Sequence, residues 1–409
     1  MKVFFSTIHP KEVFKIIEKF DSVGEETVSI ERALKRVLAE DVLSPMNIPG
    51  FNRATMDGYA VNSKDTFGAS EAVPGWLKVI GEVKMGEVPD FKVDRGEAVK
   101  ISTGGMLPAG TDAVVMLEYT QHVDETTIEV LKPVAPLEHV IQFNEDFKER
   151  GQIFEKGYRL RPQDLGILAT IGKSKVLVYK RPIVAVVSTG DEIIPIDETP
   201  RLGQIRDVNS YTLSAMIEDA GGLPLKMGII KDEFKALKEI CIKALNKADI
   251  LLLSGGSSVG TRDYVLEVIS SFENSETFFH GVSVSPGKPT ILARIENKAI
   301  WGLPGQVTSA MIVFLLFVKR HIQWIGGQRF FPFSFKKAKA KMARNVASVQ
   351  GREDYIRVKL IKVGEEILAE PIFAKSGLIS PMIKADGLLR VDISKEGLYK
   401  GEEVEVILF

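Results

Sequence analysis

The sequence predicts a multidomain α/β plus β protein organised around a doubly wound parallel α/β domain, and three observations carry that expectation. Apolar β-branched runs alternate regularly with amphipathic helical stretches over residues 180–327. Short β-like runs divided by glycine precede them at 49–149, and a second β-rich stretch follows at 328–409. The length, 409 residues, is more than one hydrophobic core usually supports.

Each element follows from its own pattern. Residues 11–20 place Val13, Ile16, Ile17 and Phe20 on one helical face, and residues 27–40 repeat the period with Ala33, Leu34, Val37 and Leu38 inward. Pro45, Pro49 and Gly50 then interrupt regular structure. The runs 77–80, 98–102, 113–117 and 127–130 predict an all-β module, and 164–171 reads as helix again. The expected arrangement is a helical, elongated domain of residues 1–48 and 150–179, interrupted by an inserted β domain at 49–149. In the α/β domain, 183–187 and 250–253 are apolar runs of the kind buried on both faces of a sheet. A helix capped by Asn209 or Ser210 runs to Ala220, with Gly221 as its stop signal. A strand at 223–230, helices at 234–246 and 263–272, strands near 290–294 and 299–303, and a helix at 308–325 complete a parallel sheet covered on both sides. Beyond Gly326, Gly327 and Pro332, four β-like runs predict a small C-terminal β-barrel at 328–409.

Composition excludes several roles. Hydrophobic residues make up 45% and charged residues 26%, a globular profile rather than a disordered one. Net charge is −1 with no concentrated basic face, which argues against nucleic acid or a membrane surface as partner. Cys241 is the only cysteine, so neither an internal disulfide nor a cysteine zinc cluster can form. Residues 1–11 lack a signal-peptide core, and the longest apolar run, 310–318, is about half a membrane span. A cytoplasmic location is therefore expected. The five histidines lack ligand spacing.

Ligands of open α/β sheets bind at the carboxyl ends of strands. Two loops fall there: Ser188-Thr189-Gly190-Asp191-Glu192, and Ser254-Gly255-Gly256-Ser257-Ser258-Val259-Gly260. The second lets backbone N–H groups approach an anion, which predicts a phosphate-bearing ligand. It is neither a Walker A loop nor a dinucleotide fingerprint. Asp191 and Glu192 would be solvated loop charges or, facing a phosphate, ligands of Mg²⁺. Asp263 would cap the following helix or join that metal site. Lys288, braced in Ser285-Pro286-Gly287-Lys288-Pro289, is presented rigidly enough to meet an oxyanion, although a surface turn lysine is the plain alternative. Outside this domain, Arg53 and Asp57 lie in a Gly/Pro-rich neighbourhood, and Ser102-Thr103-Gly104-Gly105 forms a second small-residue loop.

Together these stretches resemble the molybdopterin molybdenumtransferase family, which includes MoeA and the E domain of gephyrin. The resemblance rests on Arg53-Ala-Thr-Met-Asp-Gly-Tyr-Ala60, Ser102-Thr-Gly-Gly105, Ser188-Thr-Gly-Asp-Glu192, Ser254-Gly-Gly-Ser-Ser-Val-Gly260 with Asp263-Tyr264, Pro286-Gly-Lys-Pro289, and Gly302-Leu-Pro-Gly305. It implies a MogA-like α/β domain and an elongated homodimer with a dimerisation segment. The implied reaction inserts molybdate into adenylylated molybdopterin, releasing AMP, with Mg²⁺. Asp57, Thr103, Asp146, Glu192, Asp232, Asp263 and Lys288 fall on the family's functional positions, with Asp57 coming from the partner subunit. Arg53, Ser188, Thr189, Gly190, Ser254, Gly255, Gly256, Ser257, Ser258, Gly260, Pro286, Gly287, Pro304 and Gly305 would hold the pterin substrate, with Ser380 and Arg352 or Arg357 from the last domain. Asp191, Glu192 and Asp263 would hold the metal. Hand-over from a molybdopterin adenylyltransferase is a further implication, and a Lys/Glu-rich composition fits an archaeal or thermophilic source. Asn144, Ser285 and Gln306 depart from the family pattern, which usually shows glycine, more lysines nearby, and Asn-Pro at these places. Tungstate in place of molybdate is compatible with these departures. Two rival readings are a hydrolase resembling CinA-type nucleotide pyrophosphatases and a gephyrin-like scaffold without catalysis.

Overall fold

The computed structural model describes residues 7–255, 264–329 and 336–409. Its chain forms two compact units: Met1–Glu40, Lys156–Gly166 and Lys173–Phe409 make the first, and Asp41–Glu155 with Ile167–Gly172 make the second. No helix among the described residues is long and apolar enough to cross a membrane.

The second unit is built on a six-stranded sheet in the order Ala113–Met116, Gly58–Val61, Glu97–Ile101, Gly75–Glu82, Thr127–Val130, Thr120–His122. Both faces of its centre are covered: Tyr59, Leu77, Val115 and Ile128 pack on one side, Val99, Ile101 and Val114 on the other. This double burial explains why the central strands read as unbroken apolar runs. Gly58 has a local reason, because a Cβ there would run into the Val115 carbonyl of the neighbouring strand. The Asp57-Gly58 pair is thus held at the start of a central strand.

In the first unit, the helix Pro10–Ile17 begins with proline, and His9 Nδ1 accepts the Lys11 N–H at 3.1 Å. Its Val13 and Ile17, followed by Phe20, join the core of the α/β domain. The helix expected at 27–40 does not form. Glu25–Ser29 is a strand paired antiparallel with Lys175–Tyr179, followed only by the single 3₁₀ turn Ile30–Arg32. Thr27 and Val28 sit opposite Leu177 and Val176, where β-branched side chains favour a ladder. Lys35 adopts φ +63°, which ends any helix, and Leu34 is exposed rather than inward.

The α/β domain comprises β1 (Ile183–Thr189), α1 (Asn209–Ala220), β2 (Leu223–Ile230), α2 (Phe234–Leu245), β3 (Ile250–Ser254), α3 (Tyr264–Ser270), β4 (Ser275–His280), β5 (Ile291–Ile295) and β6 (Lys298–Leu303). A long helix follows as Val307–Val313, a π-helical turn Phe314–Val318, and Lys319–Ile325. The strand order is β2-β1-β3-β6-β5-β4. Val184, Val186, Leu252 and Trp301 face one core, while Ala185, Val187, Leu251 and Ile300 face the other. The sheet is not wholly parallel as expected. β1, β2, β3 and β6 are parallel, but β5 pairs antiparallel with both β6 and β4. A two-residue connection, Glu296-Asn297, joins β5 to β6, and so short a link can only make a hairpin. β4 is an edge strand with mixed polar residues, which is why no apolar run announced it. Neither Asn209 nor Ser210 caps α1 with its side chain; Asp207 Oδ1 takes the Ser210 N–H at 3.1 Å instead.

The C-terminal strands close into a five-stranded barrel. Glu353–Val363 pairs with Glu366–Pro371 and Gly387–Val391; Glu403–Leu408 pairs with Gly387–Val391 and Lys337–Met342; Lys337–Met342 returns to Glu366–Pro371. Met342, Val358, Leu389, Val391 and Val406 fill its interior. One extra strand, Val284–Ser285, adds in parallel to Glu353–Asp354. It ties the segment ahead of the Pro286–Pro289 turn to the barrel.

Candidate functional site

β1 connects onward to β2 on one side and has β3 on the other, so the loops leaving β1 and β3 diverge at a topological switch point. The strand ends there are polar yet buried. Ser188, Thr189 and Ser254 are each at most 3% exposed. Ser188 Oγ donates to Asp207 Oδ1 at 2.8 Å. Asn209 Nδ2 donates to Ser254 Oγ at 2.6 Å and to the Gly305 carbonyl at 2.8 Å. Three chain segments are therefore braced together by one carboxamide. Gly255, at φ +122°, lies so close to Thr189 that a Cβ would strike its carbonyl, so the second loop leaves β3 against the end of β1. Gly256, Ser257, Ser258, Gly260 and Asp263 lie outside the described residues.

The loop after β1 and the loop after β2 bring three carboxylates together. Burial holds the half-buried Asp232 carboxyl above its ordinary range, the nearby Thr189 hydroxyl opposes it, and the negative Asp191 and Glu192 add to it. Asp191 and Glu192 are exposed. None of the three has an ion-pair partner among the described residues. No group of three His, Cys, Asp or Glu among those residues already has metal-holding geometry.

Lys288 and Arg352 line a common cavity of about 410 Å³ with Pro286, Gly287, Pro304 and Gly305. Arg352, directly before the barrel strand Glu353–Val363, pairs with Asp354 at 2.9 Å, and Asp354 also accepts from Ser348 Oγ at 2.6 Å. Thr290 Oγ1 donates to the Gly287 carbonyl at 2.6 Å and stiffens the lysine turn. Of the two candidate arginines, Arg352 faces this cavity. Arg357 is buried, donates to the Ala374 carbonyl at 2.7 Å, and is not among the lining residues. Ser380 is exposed at the start of the helix Ser380–Lys384 and does not line the cavity either; Ser376, Ser309 and Gln306 do.

In the second unit, Asp57 Oδ1 accepts both the backbone N–H of Thr103, at 2.7 Å, and its hydroxyl, at 3.0 Å. These bonds favour the ionised form and hold the exposed carboxyl below its ordinary range. Arg53 is exposed on a short strand paired with Val140–Ile141, and Asp146 is exposed beside Ile48, to whose carbonyl its N–H donates at 3.0 Å. Asn144 adopts φ +58°. That is the left-handed region glycine enters freely and asparagine tolerates, which accounts for asparagine at this position.

Sequence reasoning missed Asp207, the bracing role of Asn209, and Ser376. Asp207-Val208-Asn209-Ser210 offered a signal, two amide- or carboxylate-bearing residues ahead of a helix, but was read only as a cap.

Comparisons with known proteins agree with this architecture. Three family models match in order: MoeA N-terminal region (domain I and II) over residues 8–172, a molybdopterin binding domain over 185–324, and MoeA C-terminal region (domain IV) over 339–409. A molybdopterin biosynthesis protein of Methanocaldococcus jannaschii is 37% identical, covering 100% of both chains. A molybdopterin molybdenumtransferase of Staphylococcus aureus is 32% identical, covering 96% of this chain and 93% of its own. A crystal structure of a molybdopterin biosynthesis MoeA protein from Pyrococcus horikoshii superposes with a TM-score of 0.84 at 32% identity, covering 99% of this chain and 100% of that one. A second structure of a MoeA protein from that organism gives 0.79 at 39% identity, covering 98% and 99%. Matches that run through the β module, the α/β domain and the barrel alike place the chain in the MoeA family of molybdopterin biosynthesis proteins.

Proposed function

We propose that this chain is a transferase that inserts molybdate, or tungstate, into adenylylated molybdopterin with release of AMP. The observation that carries the proposal is the cavity shared by Lys288 and Arg352. It brings the Lys288 ammonium and the Asp354-held Arg352 guanidinium to small-residue walls, and charge-assisted bonds from such groups suit a tetrahedral oxyanion. Gly305 belongs to that cavity and also accepts from Asn209, so the oxyanion position and the strand ends that would hold the nucleotide are braced to each other.

Asp191 and Glu192, with Asp263 as the third carboxylate, would hold a hard divalent cation: beside Asp232 they gather negative charge, and all supply only oxygen donors. When bound, Mg²⁺ would neutralise charge on the phosphoanhydride as it breaks. The protein's own residues do the rest. Lys288 and Arg352 orient the oxyanion, Ser188 and Ser254 shape the strand-end crevice, and the dithiolene of the substrate supplies the sulfur ligands of the incoming metal. The Asp57–Thr103 pair, and Arg53 and Asp146 of the same unit, we assign to the partner's site in a cytoplasmic homodimer fed by a molybdopterin adenylyltransferase.

Reconstitution tests this directly. Purified protein is incubated with adenylylated molybdopterin, Mg²⁺, and molybdate or tungstate in parallel, and cofactor and AMP are both measured. Cofactor formation tied one-to-one to AMP release is expected. AMP release without an oxyanion would indicate a hydrolase instead, and no cofactor with either oxyanion would end the proposal.

A further inference from the structure

We propose that Asn209 is a substrate-contacting residue whose side-chain oxygen accepts a hydrogen bond from a neutral O–H or N–H donor on the nucleotide part of the substrate. The inference rests on the substrate named above, and goes on to say how that substrate is oriented.

Asn209 opens α1 and is 7% exposed. Both hydrogens of its carboxamide are used, one toward Ser254 Oγ and one toward the Gly305 carbonyl. The carbonyl of Gly305 can only accept, so the amide nitrogen must face it and the orientation of the group is fixed. The oxygen Oδ1 then points elsewhere, is buried, and has no partner among the described residues. Helix capping does not explain it, because Asp207 already takes the Ser210 N–H. A brace that needs only two donors has no use for a buried acceptor, and native structures rarely leave one unsatisfied. Its position at the carboxyl ends of β1, β3 and β6 is where this fold class binds ligands.

The sign of the partner follows. A carbonyl oxygen repels phosphate oxygens and attracts donors. On the nucleotide part of an adenylylated substrate the donors are the ribose hydroxyls and the adenine amine. Asn209 therefore sets which end of the nucleotide faces α1, with the phosphates turned away from it.

Calorimetric binding of AMP, 2′,3′-dideoxy-AMP, the monophosphate of purine riboside (which lacks the amine), and pyrophosphate tests this on the full chain and on Asn209→Ala. Loss of one hydrogen bond predicts about tenfold weaker AMP binding by Asn209→Ala and less than about twofold change for pyrophosphate. One of the two AMP analogues should already bind about tenfold more weakly to the unaltered chain and lose nothing further in Asn209→Ala, the coupling a double-mutant cycle reads out. Asn209→Asp, which keeps an oxygen but loses both donors, should retain more AMP affinity than Asn209→Ala, with thermal unfolding reporting the lost brace separately. Equal losses for AMP, both analogues and pyrophosphate would make Asn209 a brace alone and overturn the inference while leaving the proposed function standing. Failure of the unaltered chain to bind AMP and pyrophosphate at all would instead remove the nucleotide substrate itself.

Discussion

One carboxylate oxygen of Asp57 carries two hydrogen bonds from Thr103, at 2.7 Å from the backbone and 3.0 Å from the hydroxyl. The loop of residues 102–105 is thereby pinned to the start of a central strand, and the acid is kept ionised well into the acid range. Thr103→Val removes the hydroxyl bond and keeps the backbone one. The Asp57 carboxyl should then rise toward its ordinary range, and the acid limb of the activity profile should move upward with it. Activity against pH for both proteins checks this, and an unmoved acid limb would detach Asp57 from the reaction.

Lys288 and Arg352 meet in one cavity although 64 positions separate their numbers. Losing either cation removes a charge-assisted bond, so Lys288→Ala and Arg352→Ala should each weaken molybdate binding by about 10- to 100-fold. Arg352→Lys keeps the charge but not the planar fork and should fall between the unaltered protein and Arg352→Ala. Arg357→Met should leave molybdate affinity within about twofold, since Arg357 does not line the cavity. Equilibrium dialysis with molybdate reads all four.

Asp232 titrates above its ordinary range because burial and two neighbouring carboxylates disfavour its charge. Its ionised form therefore lowers stability above the raised folded pKa, and that penalty fades as pH falls through it toward the ordinary aspartate value of 3.8. Asp232→Asn should unfold at a higher midpoint than the unaltered chain at pH 7, with the difference closing near pH 4. Its Mg²⁺ affinity should fall at the same time. A stability gain without loss of metal affinity would exclude Asp232 from the metal site.

His321 is fully buried, accepts the Trp301 indole N–H at 3.0 Å, and has its pKa pushed down from 6.5 to about 3 by burial. The unfolded chain takes up this proton near 6.5, whereas the folded chain resists it, so stability is lost as pH falls between those values. The slope is about 1.4 kcal/mol per pH unit. His321→Gln retains an acceptor for Trp301 and cannot titrate, so its unfolding midpoint should change far less between pH 6.5 and pH 4. Urea titrations at both pH values measure the difference.

How much of this was legible in the sequence depended on burial. β1, β3 and β6 are covered on both faces, so their apolar runs announced them, whereas β4 and the strand Glu25–Ser29 are half-exposed and were missed or taken for helix. Five strands of the barrel close on one another, which the spacing of four apolar runs had suggested. The loop motifs singled out Asp57, Thr103, Glu192 and Lys288 as candidates, and of these Lys288 lines the cavity with Arg352. Ser376 and Asn209 were not legible as site residues, since their relevance comes from contacts with segments about 70 and 96 positions away. Arg352 and Arg357 could not be told apart from spacing alone; the side of the barrel wall each faces decides between them.

The two-residue pairing of Val284–Ser285 with Glu353–Asp354 sets a timetable for this molecule. The lysine turn leaves the ribosome some 65 residues before the strand that completes its cavity. Until residues 337–408 have been made and the barrel has closed, the turn has no wall opposite it and no arginine to share an anion with. On the proposed function, a nascent chain or one cut before the barrel would lack the oxyanion site altogether. A radioactive molybdate filter assay would accordingly double as a gauge of how much of a preparation is full-length and correctly closed.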